Sequence, residues 1–173
     1  MHIRDGKLVI RGAEPSDAEL LSGWCSDGKI MAHAGFPLGI GTTPEQVRKL
    51  LESDTDSSRR CIIELDGVPI GEMNYRDIGG KTAQIGIKIC DFSKQNRGFG
   101  TQLLKMFIRE LFSTYGFEKI ALDTNLKNTR AQHVYEKLGF RKVKVEYSSW
   151  KNRLGELRSQ VYYELCRDEW RFD

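Results

Sequence analysis

The chain has 173 residues, enough for one domain of ordinary size. Apolar residues form 39% of it and charged residues 29%, which excludes an intrinsically disordered chain, and no apolar run approaches the ~20 residues of a membrane span. The net charge of +3 is too small to favour a nucleic-acid-binding protein. The first residues lack the apolar segment of a secretory signal, so we expect a cytoplasmic protein with no membrane or nucleic-acid partner.

Cysteines and histidines are widely spaced along the chain. Neither residue type forms a paired motif, which excludes a disulfide framework and a zinc site, and we expect no metal. In a reducing compartment we expect most of the cysteines to be small buried residues. The residues concerned are Cys25, Cys61, Cys90, Cys166, His2, His33 and His133.

The first third of the chain predicts one strand followed by short helices. Residues 7–11 predict the strand, and a short amphipathic helix comes next. The glycine-rich residues 27–41 lack a clear period, which indicates a loop or a broken helix. A second helix begins after Thr43, which forms a capping box with Gln46.

After a polar loop over residues 53–60, the pattern changes to an antiparallel meander. The strands predicted over residues 61–65 and 68–75 flank an Asp-Gly pair at 66–67, the two-residue turn that hairpins favour. A Gly-Gly turn then leads into residues 82–90, where isoleucines alternate with polar residues and glycine. We therefore expect three consecutive antiparallel strands.

The second half alternates helices and strands. A wide apolar stripe predicts a helix over residues 99–115, and residues 120–124 predict a strand. A further helix runs from Asn128 to a glycine stop, and strands over 141–148 and 159–166 follow. This order predicts one α+β domain with a mixed, mostly antiparallel sheet of six to seven strands, flanked by helices.

The sharpest local signal is the segment QNRGFGT at residues 95–101, between the isoleucine-rich strand and the long helix. Gly98 and Gly100 let the backbone approach a ligand closely, and amides at a helix N-terminus bind anions. Arg97 adds a cation suited to phosphate. The same glycines also suit a plain strand-to-helix turn, and both interpretations stay open on these residues alone. The spacings of a P-loop and of a dinucleotide-binding fingerprint are absent.

Here the sequence resembles a known family. Gln95, Gly98 and Gly100, placed after an isoleucine-rich strand, are similar to motif A of the GNAT N-acetyltransferases. Residues 125–140, with Asn128 near their start and Tyr135 near their end, are similar to motif B of the same family. The resemblance covers nearly the whole chain and implies a single acetyltransferase domain over residues 1–173 with the acyl-CoA N-acyltransferase fold.

The resemblance also implies the co-substrate and the residues that bind it. In that family the motif A amides hold the pyrophosphate of acetyl-CoA, the preceding strand pairs with the pantetheine arm, and the motif B asparagine contacts that arm. The residues implied here are Ile87, Lys88, Ile89, Gln95, Asn96, Arg97, Gly98, Phe99, Gly100, Thr101 and Asn128.

The C-terminal residues resemble one branch of the family. The branch is the one that acetylates the N-termini of ribosomal proteins. The similarity to its sequences lies in Trp150, residues 155–157, Tyr163, Leu165 and residues 169–170. That similarity implies a protein N-terminal α-amine as acceptor. We expect a monomer or a homodimer. A polyamine or aminoglycoside acetyltransferase and a non-catalytic acyl-CoA-binding module are the alternatives.

Acetyl transfer needs an acid and a base, because an amine with a pKa near ~10 must lose a proton before it attacks, and the departing thiolate gains one. The resemblance makes Tyr135 the candidate acid, since the motif B tyrosine faces the CoA sulfur. Its place on the apolar face of a helix equally suits core packing.

The base is less directly indicated. The histone-acetylating branch carries a glutamate at the position of Gln84, and an amide cannot accept a proton. Glu72 on the neighbouring strand is the candidate base, and strand alternation places it on one face with Asn74. The alternatives are that Glu72 lies on a solvated face, or that a water chain takes the proton.

Of three further candidate residues, one is rejected and two are expected to belong to the site. No histidine is placed to activate Cys90, so we reject an acyl-cysteine intermediate. His33 and Phe36, in the segment without a clear period, are expected to line the amine site.

Overall fold

A computed structural model describes residues 1–172 and contains one eight-stranded sheet. The strands, in chain order, are β1 (His2–Asp5), β2 (Leu8–Gly12), β3 (Ser58–Leu65), β4 (Val68–Asp77), β5 (Thr82–Ile89), β6 (Lys119–Asn125), β7 (Arg141–Lys151) and β8 (Leu157–Cys166). Their order across the sheet is β1-β2-β3-β4-β5-β6-β8-β7. All neighbours are antiparallel except β5 and β6, which confirms a mixed, mostly antiparallel sheet.

The helices pack on this sheet. They are α1 (Ala18–Ser26), α2 (Gly28–Met31), α3 (Pro44–Glu52), α4 (Phe99–Ser113) and α5 (Thr129–Lys137). Within residues 1–172, none of the helices is long and apolar enough to cross a membrane. The glycine-rich segment after α1 is a broken helix, since α2 passes directly into a 3₁₀ turn over Ala32–Ala34.

The structure has one strand more than the predicted six to seven, because the polar N-terminal residues form β1. β1 has only Ile3 as an apolar residue, and its pairing with β2 along the backbone makes it a strand. The predicted loop over residues 53–60 ends early, because Ser58 already pairs with Arg76. Backbone pairing needs no apolar pattern, so hydrophobic periodicity cannot detect such strands.

Local signals elsewhere gave correct turns and caps. The predicted two-residue hairpin turn is confirmed, and Asp66 and Gly67 have the positive φ values, 52° and 76°, that a type I′ turn requires. Thr43 accepts a hydrogen bond from the amide of Gln46, whose side chain accepts one from the amide of Thr43, so the capping box is confirmed.

Each face of the sheet has its own core. The larger core packs α4 on one face, where Leu103, Leu104 and Phe107 contact inward-facing strand residues such as Tyr75. On the other face, α1 and α3 cover Ile62. Together the two cores support the neighbouring strands β5 and β6, whose residues beyond their last mutual pair form part of the site.

β5 and β6 separate partway along their length. They pair only from Thr82 with Lys119 to Gln84 with Ala121. Beyond that point β5 still pairs with β4, and β6 still pairs with β8, so each strand keeps one neighbour and exposes one backbone edge to the gap. The gap opens towards the start of α4 and the start of α5.

Candidate active site

The gap between β5 and β6 is one end of a cavity of about 700 Å³. Its walls come from β5 and β6, from the turn that begins α4, from α5, and from the broken helix between α1 and α3. Residues of β4, β7 and β8 complete it on the side away from α4. The cavity therefore has an α4 end and, around the broken helix, a second end that we call the distal end.

The α4 end presents free backbone amides. Gly98 occupies the N-cap position of α4 with φ of 81°, a left-handed conformation that favours glycine. In the described part of the chain no side chain caps this helix, and of the first-turn amides only that of Thr101 donates within the turn, to the Gly98 carbonyl over 3.1 Å. Within residues 1–172 the amides of Phe99 and Gly100 are left free at the cavity. Such an arrangement binds an anion, because the amides and the helix dipole both favour negative charge.

Side-chain hydrogen bonds attach this turn to β5 and to α5. The Gln95 side-chain amide donates to the Ile89 carbonyl oxygen over 2.9 Å. Arg130 donates to the side-chain oxygens of Asn96, over 2.9 Å, and Gln95, over 3.3 Å. Arg130 also lines the cavity, which places a cation beside the free amides. Sequence reasoning missed Arg130, whose position in the first turn of the motif B helix was the available signal.

Most of the residues expected to bind acetyl-CoA line the cavity. They are Ile87, Lys88, Ile89, Gln95, Asn96, Gly98, Gly100, Thr101 and Asn128. The Asn128 side chain caps α5, accepting from the Ala131 amide over 3.3 Å, and donates to Thr124 Oγ1 over 3.2 Å.

Two of the expected binding residues lie outside the cavity wall. Arg97 is exposed on the outer side of the turn, and the Phe99 ring packs against the core. Binding through the backbone amides at these two positions, which the resemblance implies, stays a prediction.

Tyr135 is both a core residue and a residue of the cavity wall. Its ring is 7% exposed and packs against Phe140 and Tyr163, so it is a core residue. It also lines the cavity, and its hydroxyl has no hydrogen-bond partner within residues 1–172. Burial, with a contribution from the nearby Asp123, raises the pKa of Tyr135 to about 12. The phenol is therefore neutral and has a free proton to donate into the cavity.

Glu72 lies inside the site. Glu72 and Asn74 line the cavity while Met73 and Tyr75 are buried in the core, which confirms the strand alternation and excludes the solvated-face interpretation. The Glu72 carboxylate lies 2.6 Å from Lys88 Nζ on the facing strand. Burial disfavours the Lys88 charge, but attraction from Glu72 outweighs it, and the pKa of Lys88 is raised. The two side chains form a partly buried, neutralised pair.

A second carboxylate, missed by the sequence analysis, also lines the cavity. Asp123 lies on β6 beyond the last pair with β5 and accepts hydrogen bonds from the side-chain amides of Gln84 and Gln160. Burial raises the pKa of Asp123, an effect that the Gln84 hydrogen bond partly opposes. A charged residue within an otherwise alternating strand was the signal in the sequence.

The distal end of the cavity is bounded on one side by the aromatic ring of Trp150. His33 lines the cavity as expected. Phe36 does not line it, and its ring centroid lies 6.2 Å from that of Trp150. Trp150 of β7 lines the cavity and lies so close to Gly35 that a Cβ there would come within 2.0 Å of the indole. Gly35 is thus required for Trp150 to pack against the broken helix.

Cys90 is buried and lies outside the cavity wall. Burial, with a contribution from Glu72, raises the pKa of its thiol to about 12, against some lowering by Lys88. A neutral buried thiol is a poor nucleophile, which agrees with the rejection of an acyl-cysteine intermediate.

Several solved structures have a similar fold. A spermidine N-acetyltransferase from Vibrio cholerae, in complex with CoA and spermine, is 19% identical, with 95% of this chain and 98% of that chain covered and a TM-score of 0.84. RimL, a ribosomal L7/L12 α-N-protein acetyltransferase in complex with CoA, is 17% identical, with 98% and 99% covered and a TM-score of 0.83. An acetyltransferase of the GNAT family from Bacillus anthracis is 22% identical, with 98% and 100% covered and a TM-score of 0.78.

At these identities the structures establish the fold alone. The sequence itself matches the family model described as an acetyltransferase (GNAT) domain over residues 7–141, which is most of the chain. The glycine turn, the separated strands and the motif B helix all lie within or directly beside the matched region. The chain therefore belongs to the GNAT family of acetyltransferases and has its acyl-CoA N-acyltransferase fold.

Proposed function

We propose that this protein transfers the acetyl group of acetyl-CoA to a primary amine by direct attack in a ternary complex. The observation that carries the proposal is the continuity of the cavity. It runs from the free amides at Gly98, past Tyr135, to two carboxylates, Glu72 and Asp123, and on to the distal end. One ligand entering at each end would meet the other beside Tyr135.

The residues present fit acetyl-CoA. The amides at the start of α4 suit a pyrophosphate, and Arg130 adds a positive charge beside them. The unpaired edge of β5 over Ile87 to Ile89 offers main-chain groups to an extended amide chain such as pantetheine, as an open sheet edge offers them to a further strand. When bound, acetyl-CoA supplies the thioester whose acetyl group is transferred.

The chain's own side chains supply the proton chemistry. The acceptor amine must be deprotonated before it attacks, and the partly buried carboxylates Glu72 and Asp123 are the groups in the cavity that can take the proton. Tyr135 can donate a hydrogen bond to the departing sulfur. With Cys90 buried and neutral, direct attack is the route that these residues support.

For the acceptor we propose a protein N-terminal α-amine. Among the described residues that line the cavity the acidic ones are Glu72 and Asp123, and Lys88 neutralises the first. The site thus has one uncompensated negative charge, which suits one ammonium group better than a polycation. An α-amine also has a pKa of about 8, against about 10.4 for a lysine-type amine, so it gives up its proton to a carboxylate more readily.

The test is a screen of acetyl-CoA turnover, followed by thiol release. The acceptors are a short peptide with a free N-terminus, the same peptide with a blocked N-terminus, spermidine and an aminoglycoside. We expect the free peptide to exceed the other acceptors in kcat/KM by about tenfold or more. Preference for spermidine or the aminoglycoside would contradict the proposed acceptor. Binding of acetyl-CoA without turnover of any amine would indicate a non-catalytic acyl-CoA-binding module.

Arg130 and Arg97 give a matched test of the binding site. Arg130→Gln is expected to raise the Kd of acetyl-CoA about tenfold, the equivalent of about 1.4 kcal/mol, because it removes the cation beside the α4 amides. Arg97→Gln removes the same charge from the exposed side of the turn, and we expect less than about a threefold change. Isothermal titration calorimetry measures both. A larger loss for Arg97→Gln would place the anion on the outer face of the turn.

A further inference from the structure

We propose that Asp123 is the carboxylate that binds the ammonium group of the acceptor and accepts its proton. This inference rests on the proposed function and assigns a role that sequence reasoning gave to Glu72.

Asp123 lies just beyond the point where β5 and β6 separate. Ala121 is the last β6 residue paired with β5, and Asp123 follows two residues later with its side chain on the cavity wall. Tyr135 is close enough for the Asp123 charge to contribute to its raised pKa. Asp123 therefore lies beside the candidate acid, between the binding end of the cavity and the distal end.

Two amides orient the Asp123 carboxylate. Gln84 Nε2 donates to Oδ1 over 3.3 Å, and Gln160 Nε2 donates to Oδ2 over 3.0 Å. Each carboxylate oxygen can accept a further hydrogen bond, so both amides hold the group while leaving it able to bind an ammonium. Within residues 1–172, no lysine, arginine or histidine forms a salt bridge with Asp123.

Glu72, unlike Asp123, forms a salt bridge within the described part of the chain. Its carboxylate is 2.6 Å from Lys88 Nζ, and both side chains are mostly buried. Taking a proton there would leave the buried Lys88 charge without its partner, which is strongly unfavourable. Glu72 and Lys88 are therefore better suited to fixing β4 against β5 than to moving a proton.

The groups around Asp123 leave it available as a proton acceptor. From α5 the ionisable neighbour is Tyr135, and from β8 it is Tyr162, whose hydroxyl donates to Glu146 over 2.8 Å. The pKa of each tyrosine is raised to about 12, so neither carries charge near neutral pH. With β5 contributing only the uncharged Gln84, burial raises the pKa of Asp123 and makes it a stronger base than an exposed aspartate.

Gln84, which holds the Asp123 carboxylate, occupies the position where the histone-acetylating branch has its glutamate. The family resemblance places a glutamate base at Gln84 in the histone-acetylating branch. Here Gln84 donates a hydrogen bond to Asp123 across the gap. The carboxylate therefore lies on β6 instead of β5, two residues beyond Ala121, the β6 partner of Gln84. The Gln84 amide, at the position of the missing glutamate, holds it by a hydrogen bond.

Two protons leave the acceptor nitrogen during the transfer. The acceptor enters as an ammonium and gives one proton to Asp123, which frees the nitrogen lone pair. The nitrogen bonds to the acetyl carbon, the carbon–sulfur bond breaks, and its electron pair leaves on sulfur. The nitrogen then loses a second proton. One of the two protons ends on the thiol and the other passes from Asp123 to water, so the step needs no further reactant.

The kinetic test compares two carboxylate-to-amide variants, Asp123→Asn and Glu72→Gln. With acetyl-CoA and the free-N-terminus peptide, kcat/KM is measured from about pH 5 to about pH 9. We expect Asp123→Asn to lower kcat/KM about a hundredfold and to lose the ascending limb of the pH profile. Its Kd for acetyl-CoA should stay within about twofold of the wild-type value. Glu72→Gln should lose less than about tenfold and keep the limb.

A second readout does not depend on turnover. In wild-type protein labelled with carbon-13 at aspartate carboxyls and assigned along the backbone, the Asp123 carboxyl should titrate above the ordinary value of about 3.9. Adding the peptide amine should lower that pKa, because a nearby ammonium favours the ionised form. An Asp123 carboxyl that does not respond to the amine would overturn the inference, even if Asp123→Asn failed to fold.

Failure of the inference and failure of the proposed function give different results. If the wild type neither binds acetyl-CoA nor acetylates any amine in the screen, the proposed function is wrong. If the wild type is active and Asp123→Asn keeps its rate and ascending limb, the function stands and Asp123 is not the base. Loss of the limb in Glu72→Gln instead would return the role to Glu72.

Discussion

Gly100→Asp is expected to raise the Kd of acetyl-CoA about a hundredfold or more while the protein stays folded. Gly100 lies in the first turn of α4 and lines the cavity. A Cβ there would meet only Ile89 Cδ1, at an ordinary contact distance of 3.9 Å. The added carboxylate would occupy the space that the helix amides offer to an anion and would repel a pyrophosphate.

The substitution is chosen so that binding and folding separate. An aspartate in the first turn of a helix interacts favourably with the helix dipole, so the melting temperature should not fall. Gly98 would be a poorer choice, because its φ of 81° strains any other residue. Gly23→Asp is the matched control, since Gly23 is also helical, has open space around its Cβ and lies away from the cavity. Calorimetry showing the same Kd in both variants would refute the proposed pyrophosphate site.

Tyr135→Phe is expected to lower turnover about tenfold to a hundredfold with little change in melting temperature. The hydroxyl has no hydrogen-bond partner within residues 1–172, so its removal leaves no buried group unsatisfied, and the ring keeps its packing against Phe140 and Tyr163. Its pKa of about 12 lies far above the ~8.5 of a thiol, so full proton transfer is unfavourable. The expected effect is therefore that of one hydrogen bond to a developing thiolate.

Tyr163→Phe is the matched control for this prediction. Tyr163 is fully buried beside Tyr135, and its hydroxyl donates to Glu136 over 2.9 Å, outside the cavity. Its removal should cost about 1 kcal/mol of stability and leave turnover close to the wild-type rate. Chemical denaturation and single-turnover kinetics measure the two effects. The prediction fails if Tyr135→Phe retains full turnover, or if it destabilises the protein as much as Tyr163→Phe does.

The pH dependence of stability offers an independent check on Asp123. Its pKa is raised in the folded protein, so the protonated form is the one that folding favours. The stability linked to this group is present below the unfolded-state pKa of about 3.9 and is lost as the pH rises through the higher folded value. Asp123→Asn should therefore melt at an equal or higher temperature than the wild type at neutral pH, and the difference should vanish in acid.

Local signals in the sequence were sufficient for several parts of the fold. The Asp-Gly turn at 66–67, the capping box of Thr43 and Gln46, and the cap at Asn128 each depend on residues a few positions apart. The same holds for the glycine turn that begins α4, because the need for a positive φ and for close approach is a property of the local backbone. These features predicted the binding end of the site.

The catalytic end depended on contacts between distant residues. Gln84 and Asp123 are 39 residues apart in the chain, and Asp123 and Gln160 are 37 apart. Whether a carboxylate is neutralised, as Glu72 is by Lys88, or left without a cation, as Asp123 is, depends on the register of neighbouring strands. Sequence determined which residues can carry a proton. Only the tertiary structure decided which carboxylate is free to do so, because burial and partner charge are set by chain segments that meet after folding.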